Sequence, residues 1–150
     1  MNEPLKPIQV LLVEDNEADA RLMKEVIKDS KIIIDLNIVS DGIEALDYVN
    51  QRGKFKQALK PDLILLDLNL PKKDGREVLA EIKNSPSQKR IPVVIITSSQ
   101  AEEDIVKTYD LHANAYVTKP LDLVQFSKVV DSIELFWFTV VKLPSGLGDG

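Results

Sequence analysis

The chain has no cysteine and a single histidine, His112, among its 150 residues. That removes disulfides, thiolate catalysis and cysteine redox chemistry, and it leaves a poor donor set for zinc. No apolar run reaches the roughly 18 residues needed to cross a bilayer, and Met1-Asn-Glu-Pro4 lacks the charged-then-apolar layout of a signal peptide. A soluble, cytoplasmic protein without membrane partners is expected. Positive charge is also scarce. Lys and Arg number 19 against 24 Asp and Glu, a net charge of −5, so no basic field draws nucleic acid and no basic cluster resembles a reading helix. Repeats at solenoid spacing and low-complexity segments are absent as well.

What the chain does have is a 44% hydrophobic composition, enough at this length for one core and one domain. Strand-like apolar runs at Ile8 to Val13, Ile33 to Val39, Leu63 to Leu66, Val93 to Thr97 and Ala115 to Thr118 alternate with stretches of helical periodicity. Asn16 and Asp122 are suited to cap the helices that follow them, and Ser99-Gln-Ala-Glu102 has the form of a capping box. Five βα units predict an α/β fold, a doubly wound parallel sheet with strand order 2-1-3-4-5. The basic segment Gln51 to Pro61 reads as a longer connection, and the Gly-rich end 143–150 reads as a flexible tail after a single domain over 1–142.

Asp67 closes the run Leu63-Ile-Leu-Leu-Asp67, which is apolar enough to be buried on both faces of a sheet. Its carboxylate therefore emerges at the C-terminal edge, where open α/β sheets bind ligands. Glu14-Asp15 follows the first strand and would set two more carboxylates beside Asp67. Three carboxylates repel unless a cation joins them, and an all-oxygen set suits Mg²⁺. Two further strand ends add the Thr97 and Ser98 hydroxyls and the Lys119 ammonium. Taken singly, each residue has a bland reading: Asp67 as a turn former, Glu14-Asp15 as a favourable helix start, Lys119 as a solvated lysine. Their convergence on one sheet edge favours a site.

These residues, in the order Val13-Glu-Asp-Asn16, Leu66-Asp-Leu-Asn-Leu-Pro71 with Asp74-Gly75, Thr97-Ser98 and Thr118-Lys-Pro120, strongly resemble the receiver domain of two-component response regulators over about residues 6 to 135. The resemblance implies a flavodoxin-like (βα)5 fold, for which a receiver is itself a standard example. It implies that Asp67 is the phosphoacceptor and that Asp15 and Asp67 bind Mg²⁺ directly. Glu14 would act mainly through a bound water, and Asn69 through its backbone carbonyl. Thr97 and Lys119, with Ser98 and Asn69 beside them, would bind phosphoryl oxygens. Tyr116 would be the aromatic switch partner of Thr97, and Pro120 would follow a cis peptide bond. The family's members are phosphoacceptor signalling proteins rather than enzymes acting on a separate substrate.

A narrower resemblance, through Pro71-Lys-Lys-Asp-Gly-Arg-Glu-Val-Leu-Ala-Glu-Ile-Lys83 and Glu134-Leu-Phe-Trp-Phe138, is to stand-alone receivers that serve cyanobacterial phytochrome histidine kinases. It implies a phytochrome kinase as partner and a homodimer through the C-terminal helix. In that helix Leu123, Phe126, Val130, Ile133 and Trp137 form a core-facing stripe by spacing, leaving Val129, Phe136 and Val140 on a second, partner-facing side. His112 reads as a solvated residue at a helix end.

Other functions fit less well. A haloacid dehalogenase type phosphohydrolase also uses an aspartyl nucleophile and Mg²⁺, but it needs a second Asp two residues on, where this chain has Asn69. A flavodoxin-like cofactor carrier needs a phosphate cradle after the first strand, where this chain has Glu14-Asp15. A degenerate receiver, never phosphorylated, would not be expected to keep all the acidic, hydroxyl and lysine positions.

Overall fold

The computed structural model describes residues 7–30, 33–99, 101–103, 105, 113, 115–119 and 121–136, with 130–136 as backbone only. Five strands and four helices alternate along them. They are β1 (Ile8–Val13), α1 (Glu17–Lys28), β2 (Ile34–Val39), α2 (Gly42–Val49), β3 (Leu63–Asp67), α3 (Gly75–Asn84), β4 (Val93–Thr97), β5 (Ala115–Thr118) and α4 (Leu123–Phe136). Residues 101–103 and 105, between β4 and β5, are also helical. The strands form one sheet in the order β2-β1-β3-β4-β5, every pairing parallel. The expected topology is therefore the observed one.

Alternation of side chains along each strand divides the interior into two layers. On one face Leu11, Val13, Ile64, Leu66, Val93 and Ile95 pack against α2 and α3. On the other, Val10, Leu12, Leu63, Leu65, Val94 and Ile96 pack against α1 and α4. All of β3 and β4 is buried, as expected for central strands covered on both faces. Register then sets the edge: Val13 pairs with Leu66, Asp67 with Ile96 and Thr97 with Thr118. The ends of β1, β3, β4 and β5 thus lie side by side.

Local chemistry starts each helix where the sequence indicates. The Asn16 side chain accepts from Asp19 N, and Asp41 from Glu44 N at 2.8 Å. Asp74 and Glu77 form a reciprocal capping box. Asp122 and Gln125 form another, with Gln125 N donating to Asp122 and Asp122 N to Gln125. Leu121, just before that cap, and Phe126 inside the helix share one core layer, the arrangement of a hydrophobic staple. The connection between α2 and β3 holds a 3₁₀ turn, Gly53–Phe55.

That staple corrects the reading of α4. Phe126 is fully buried as expected, but Leu123 is 41% exposed and Val129 is only 8% exposed. Leu121 occupies the core position that the spacing had assigned to Leu123, so the helix enters rotated and Val129 turns inward. Val129 is therefore core and not a partner-facing residue. Trp137, Val140, Pro120, His112 and the tail 143–150 lie outside the described residues, as do the side chains of Val130, Ile133 and Phe136.

Gly75, the first residue of α3, sits directly beneath the end of β3. A Cβ there would lie 2.5 Å from the Asp67 carbonyl oxygen and 2.8 Å from Leu68 Cα, both backbone atoms that cannot step aside. Gly75→Ala is expected to destabilise the fold by about 1–3 kcal/mol, as overpacking typically does. Urea unfolding would register it as a lower midpoint at unchanged slope, and an unchanged midpoint would refute the close-packing argument.

Candidate functional site

Burying a carboxylate costs several kcal/mol unless it finds a cation or donors. Asp67, 3% exposed, and Glu14, 2% exposed, are both buried at the sheet edge. Their common partner is Lys119. Its ammonium lies 2.9 Å from Glu14 Oε1, 2.9 Å from Asp67 Oδ2 and 2.9 Å from Asp19 Oδ2. The ammonium donates to Asp67 Oδ2 and Asp19 Oδ2 and pairs by charge with Glu14 Oε1, a buried oxygen that accepts no hydrogen bond. Carboxylates from three elements thus meet it: the end of β1, the end of β3 and the first turn of α1. Lys119 itself is set by its backbone, whose N–H donates to Thr97 O at 2.7 Å.

Backbone N–H groups take the other oxygen of each buried carboxylate. Asn69 N donates to Asp67 Oδ1 at 2.9 Å, and Asn16 N donates to Glu14 Oε2 at 3.2 Å. Even so, negative charge exceeds positive. Oxygens of Glu14, Asp15 and Asp67 lie within 4.8 Å of one another, and one ammonium cannot neutralise them all. Burial, then the adjacent Asp67, pushes the Glu14 carboxyl from its ordinary 4.5 up to about 7, against the pull of Lys119. Burial opposes the charge on Lys119, but Glu14, Asp19 and Asp67 outweigh it and raise its pKa above the ordinary 10.5. A hard divalent cation fits this donor set: the cluster is all oxygen, compact, and still short of positive charge.

Of the hydroxyls expected at the site, that of Thr97 is next to it and engaged elsewhere. Thr97, fully buried, donates to Ser99 O at 3.2 Å or Val117 O at 3.5 Å. Ser98 is exposed, and its N–H donates to Glu102. Tyr116 is half-buried against the α2–α3 core layer. It is cross-strand from Ile95 and so shares a sheet face with Thr97.

Three residues here escaped sequence reasoning. Asp19 was overlooked because an acid in a first helical turn is explained by the helix dipole alone. Its spacing, four residues after Asp15, is the signal that could have found it. Glu102 was read as half of a capping box. Its N–H does accept that role, donating to Ser99 Oγ at 3.1 Å, but its carboxylate reaches out to Asn69 Nδ2 at 3.1 Å and to Ser98 N. Glu103, 7% exposed, accepts a hydrogen bond from Thr118 Oγ1.

Comparison with known proteins places the chain among relatives of one kind. The model of the response regulator receiver domain matches residues 10–131. Response regulator Rcp1 of Synechocystis sp. is 51% identical over 144 residues, 96% of this chain and 98% of that protein. The crystal structure of its Mn²⁺-bound form superposes with a TM-score of 0.71 at 52% identity, covering 90% of this chain and 97% of that one. The phosphorylated cyanobacterial phytochrome response regulator RcpA superposes with a TM-score of 0.73 at 51% identity, covering 91% and 97%.

A carboxyl whose pKa rises on folding holds a proton that the unfolded chain has lost. Without a divalent ion, the Glu14 contribution to stability therefore falls as pH rises from 4.5 to about 7, because the native state binds more protons there. Glu14→Gln is expected to flatten that fall and to weaken Mg²⁺ binding. Urea unfolding in EDTA across this window, with calorimetric Mg²⁺ titration, checks both, and an unchanged pH slope in the variant would place the raised group elsewhere.

Proposed function

The chain belongs to the response regulator receiver domain family, and from that premise we propose that Asp67 accepts a phosphoryl group from a phosphohistidine on a sensor histidine kinase. The observation that carries this reading is the contact between Lys119 and a buried strand-end carboxylate inside an acidic cluster. A carboxylate oxygen of Asp67 attacks phosphorus, the P–N bond of the donor breaks, and an acyl phosphate forms as the imidazole leaves. Such transfers depend on positioning and on neutralising charge spread over the phosphoryl oxygens.

Each residue then has a task. Lys119, already aimed at Asp67, would pair with one phosphoryl oxygen. Thr97, with Ser98 and the Asn69 side of the loop, would take others once its hydroxyl leaves its backbone acceptors. Glu14, Asp15 and Asp67, with the Asn69 carbonyl, would hold Mg²⁺, which when bound supplies further neutralisation of the phosphoryl oxygens. That a relative of 52% identity has a Mn²⁺-bound form supports divalent-ion binding by this chain. Departure of the Thr97 hydroxyl would leave room for the Tyr116 ring on the same face, carrying the event to the surface around β4 and β5.

The similarity to a phytochrome response regulator supports a phytochrome as the kinase. Among the described residues no helix is long and apolar enough to cross a membrane, in keeping with a cytoplasmic protein. A homodimer through the C-terminal helix region remains part of this reading. The exposed Leu123 and Val124 on its first turn, 41% and 64% exposed, support it now that Val129 is core. Sedimentation as a monomer with and without a phosphoryl mimic would remove the dimer.

Intact mass after incubation with acetyl phosphate and Mg²⁺ tests the central claim. One phosphoryl adduct is expected on the wild type and none on Asp67→Asn or in the absence of Mg²⁺. Absence of the adduct on folded wild type would refute phosphoacceptor function, and continuous consumption of acetyl phosphate by that adduct-free wild type would point to a hydrolase.

A further inference from the structure

Among the described residues, Asp19 is the one carboxylate paired with Lys119 that the cation cluster does not include. Its side chain is 35% exposed, against 5% for Asp67 and 0% for Glu14. Oxygens of Glu14, Asp15 and Asp67 converge, and Asp19 is not among them. Its position, third in α1 after the Asn16 cap, would ordinarily let an acid reach back to the cap's backbone N–H. That N–H is already taken by Glu14 Oε2, so Asp19 is released from capping. It reaches instead to an ammonium 100 residues away in the chain.

We propose that Asp19 is a positioning residue for Lys119, holding the ammonium at the site when a divalent cation draws Glu14 and Asp67 to itself. The inference rests on the cation and phosphoacceptor reading above. Without a cation, three carboxylates share Lys119 and the loss of any one leaves two. With a cation bound, Glu14 and Asp67 direct oxygens toward the stronger charge, and Asp19 is the anchor that remains. A lysine side chain has four rotatable bonds and strongly hydrated charge, so an unanchored ammonium turns readily to solvent. Lys119 is close enough to water to do so, its side chain being 20% exposed. A recess of about 20 Å³ lined by Asp19, Leu22, Met23, Lys119 and Leu121 adjoins the pair, room for about one water in place of the carboxylate. Asp19 thereby ties α1 to the phosphoryl-binding lysine through the loaded state.

Pulse acetylation of lysines by acetic anhydride, read by peptide mass spectrometry, tests this directly. In Asp19→Asn with saturating Mg²⁺, Lys119 is expected to label about fivefold faster than in wild type, the scale of one lost ion pair that is partly exposed. Without Mg²⁺ the difference is expected to shrink below about twofold, because the Asp67 hydrogen bond and the Glu14 ion pair remain. Asp19→Glu is expected to restore protection. Lys83, whose ammonium donates to the Lys89 and Ile91 carbonyls, reports on the fold and should label alike in all three proteins. Equal Lys119 labelling with Mg²⁺, or an increase of the same size without it, would overturn the role of Asp19. Calorimetry on the wild type separates the two levels: no heat with Mg²⁺ removes the cation reading and this inference with it. Heat together with equal labelling removes the inference alone.

Discussion

One ammonium shared by carboxylates from three parts of the chain holds the sheet edge together. Glu14, Asp67 and Asp19 belong to β1's end, β3's end and α1, and Lys119 follows β5, so a single cation closes the far side of the sheet onto its first unit. The pairing is well partnered but not neutral, since Asp15 adds a further acid to the cluster. Burial makes the imbalance matter, because charge in a poorly solvated place is screened by neither water nor salt. The raised pKa of Glu14 and of Lys119 are two expressions of the same crowding, one group resisting charge and the other kept charged by its neighbours. A site in this condition gains from any added positive charge, and that is the physical ground for reading it as a cation site.

The loops around this cluster are built to stay close. Gly75 lets α3 begin against the Asp67 and Leu68 backbone, and Gly42 lets α2 begin against the Lys73 carbonyl. Between those two contacts Lys72 adopts a left-handed backbone, φ 65°, which a residue with a Cβ enters only when its surroundings enforce it. A tight backbone turn holds it there, Lys73 N donating to Pro71 O across Lys72 at 2.7 Å, and its ammonium lies 3.4 Å from the buried carboxylate of Asp41. The loop that carries Asn69 is therefore clamped at its far end to α2, while its near end is fixed by Asn69 N on Asp67.

Much of this was legible in the sequence, and the parts that were not failed for identifiable reasons. Strands with one continuous apolar run, such as Leu63 to Leu66, have few other structures available to them, and the acids that end such runs stand out by contrast. That the strand ends carrying Asp67, Thr97 and Lys119 turn to one crevice follows from five parallel strands with right-handed crossovers and needed no coordinates, whereas the register that sets Asp67 beside Ile96 and Thr97 beside Thr118 came from the structure. The C-terminal helix was harder, because apolar residues at 121, 123, 124, 126, 129 and 130 allow more than one stripe. Only the staple of Leu121 with Phe126 selects the one that buries Val129 and exposes Leu123. Asp19 and Glu102 were missed because each already had an adequate local explanation, a helix start in both cases. Local sufficiency hides long-range contacts, since spacing describes neighbours along a helix and not what the helix faces.

The path from charge to surface shape depends on which hydrogen bonds are weak. The Thr97 hydroxyl has two backbone acceptors, at 3.2 and 3.5 Å, both longer than the usual O–H···O distance and so readily given up. An anionic oxygen on Asp67, as proposed, would compete for that proton with a charge-assisted bond about twice as strong. Thr118, cross-strand from Thr97, is tied to Glu103 in the helical segment between β4 and β5, and Glu102 next to it holds the Asn69 side chain. In the proposed switch, a shift of Thr97 and its loop would reach that segment by two routes, one through Ser98 N and Glu102 and one along β5 through Thr118 and Glu103. Adjacent acids face different anchors, so moving either strand end relative to the other would strain one of them.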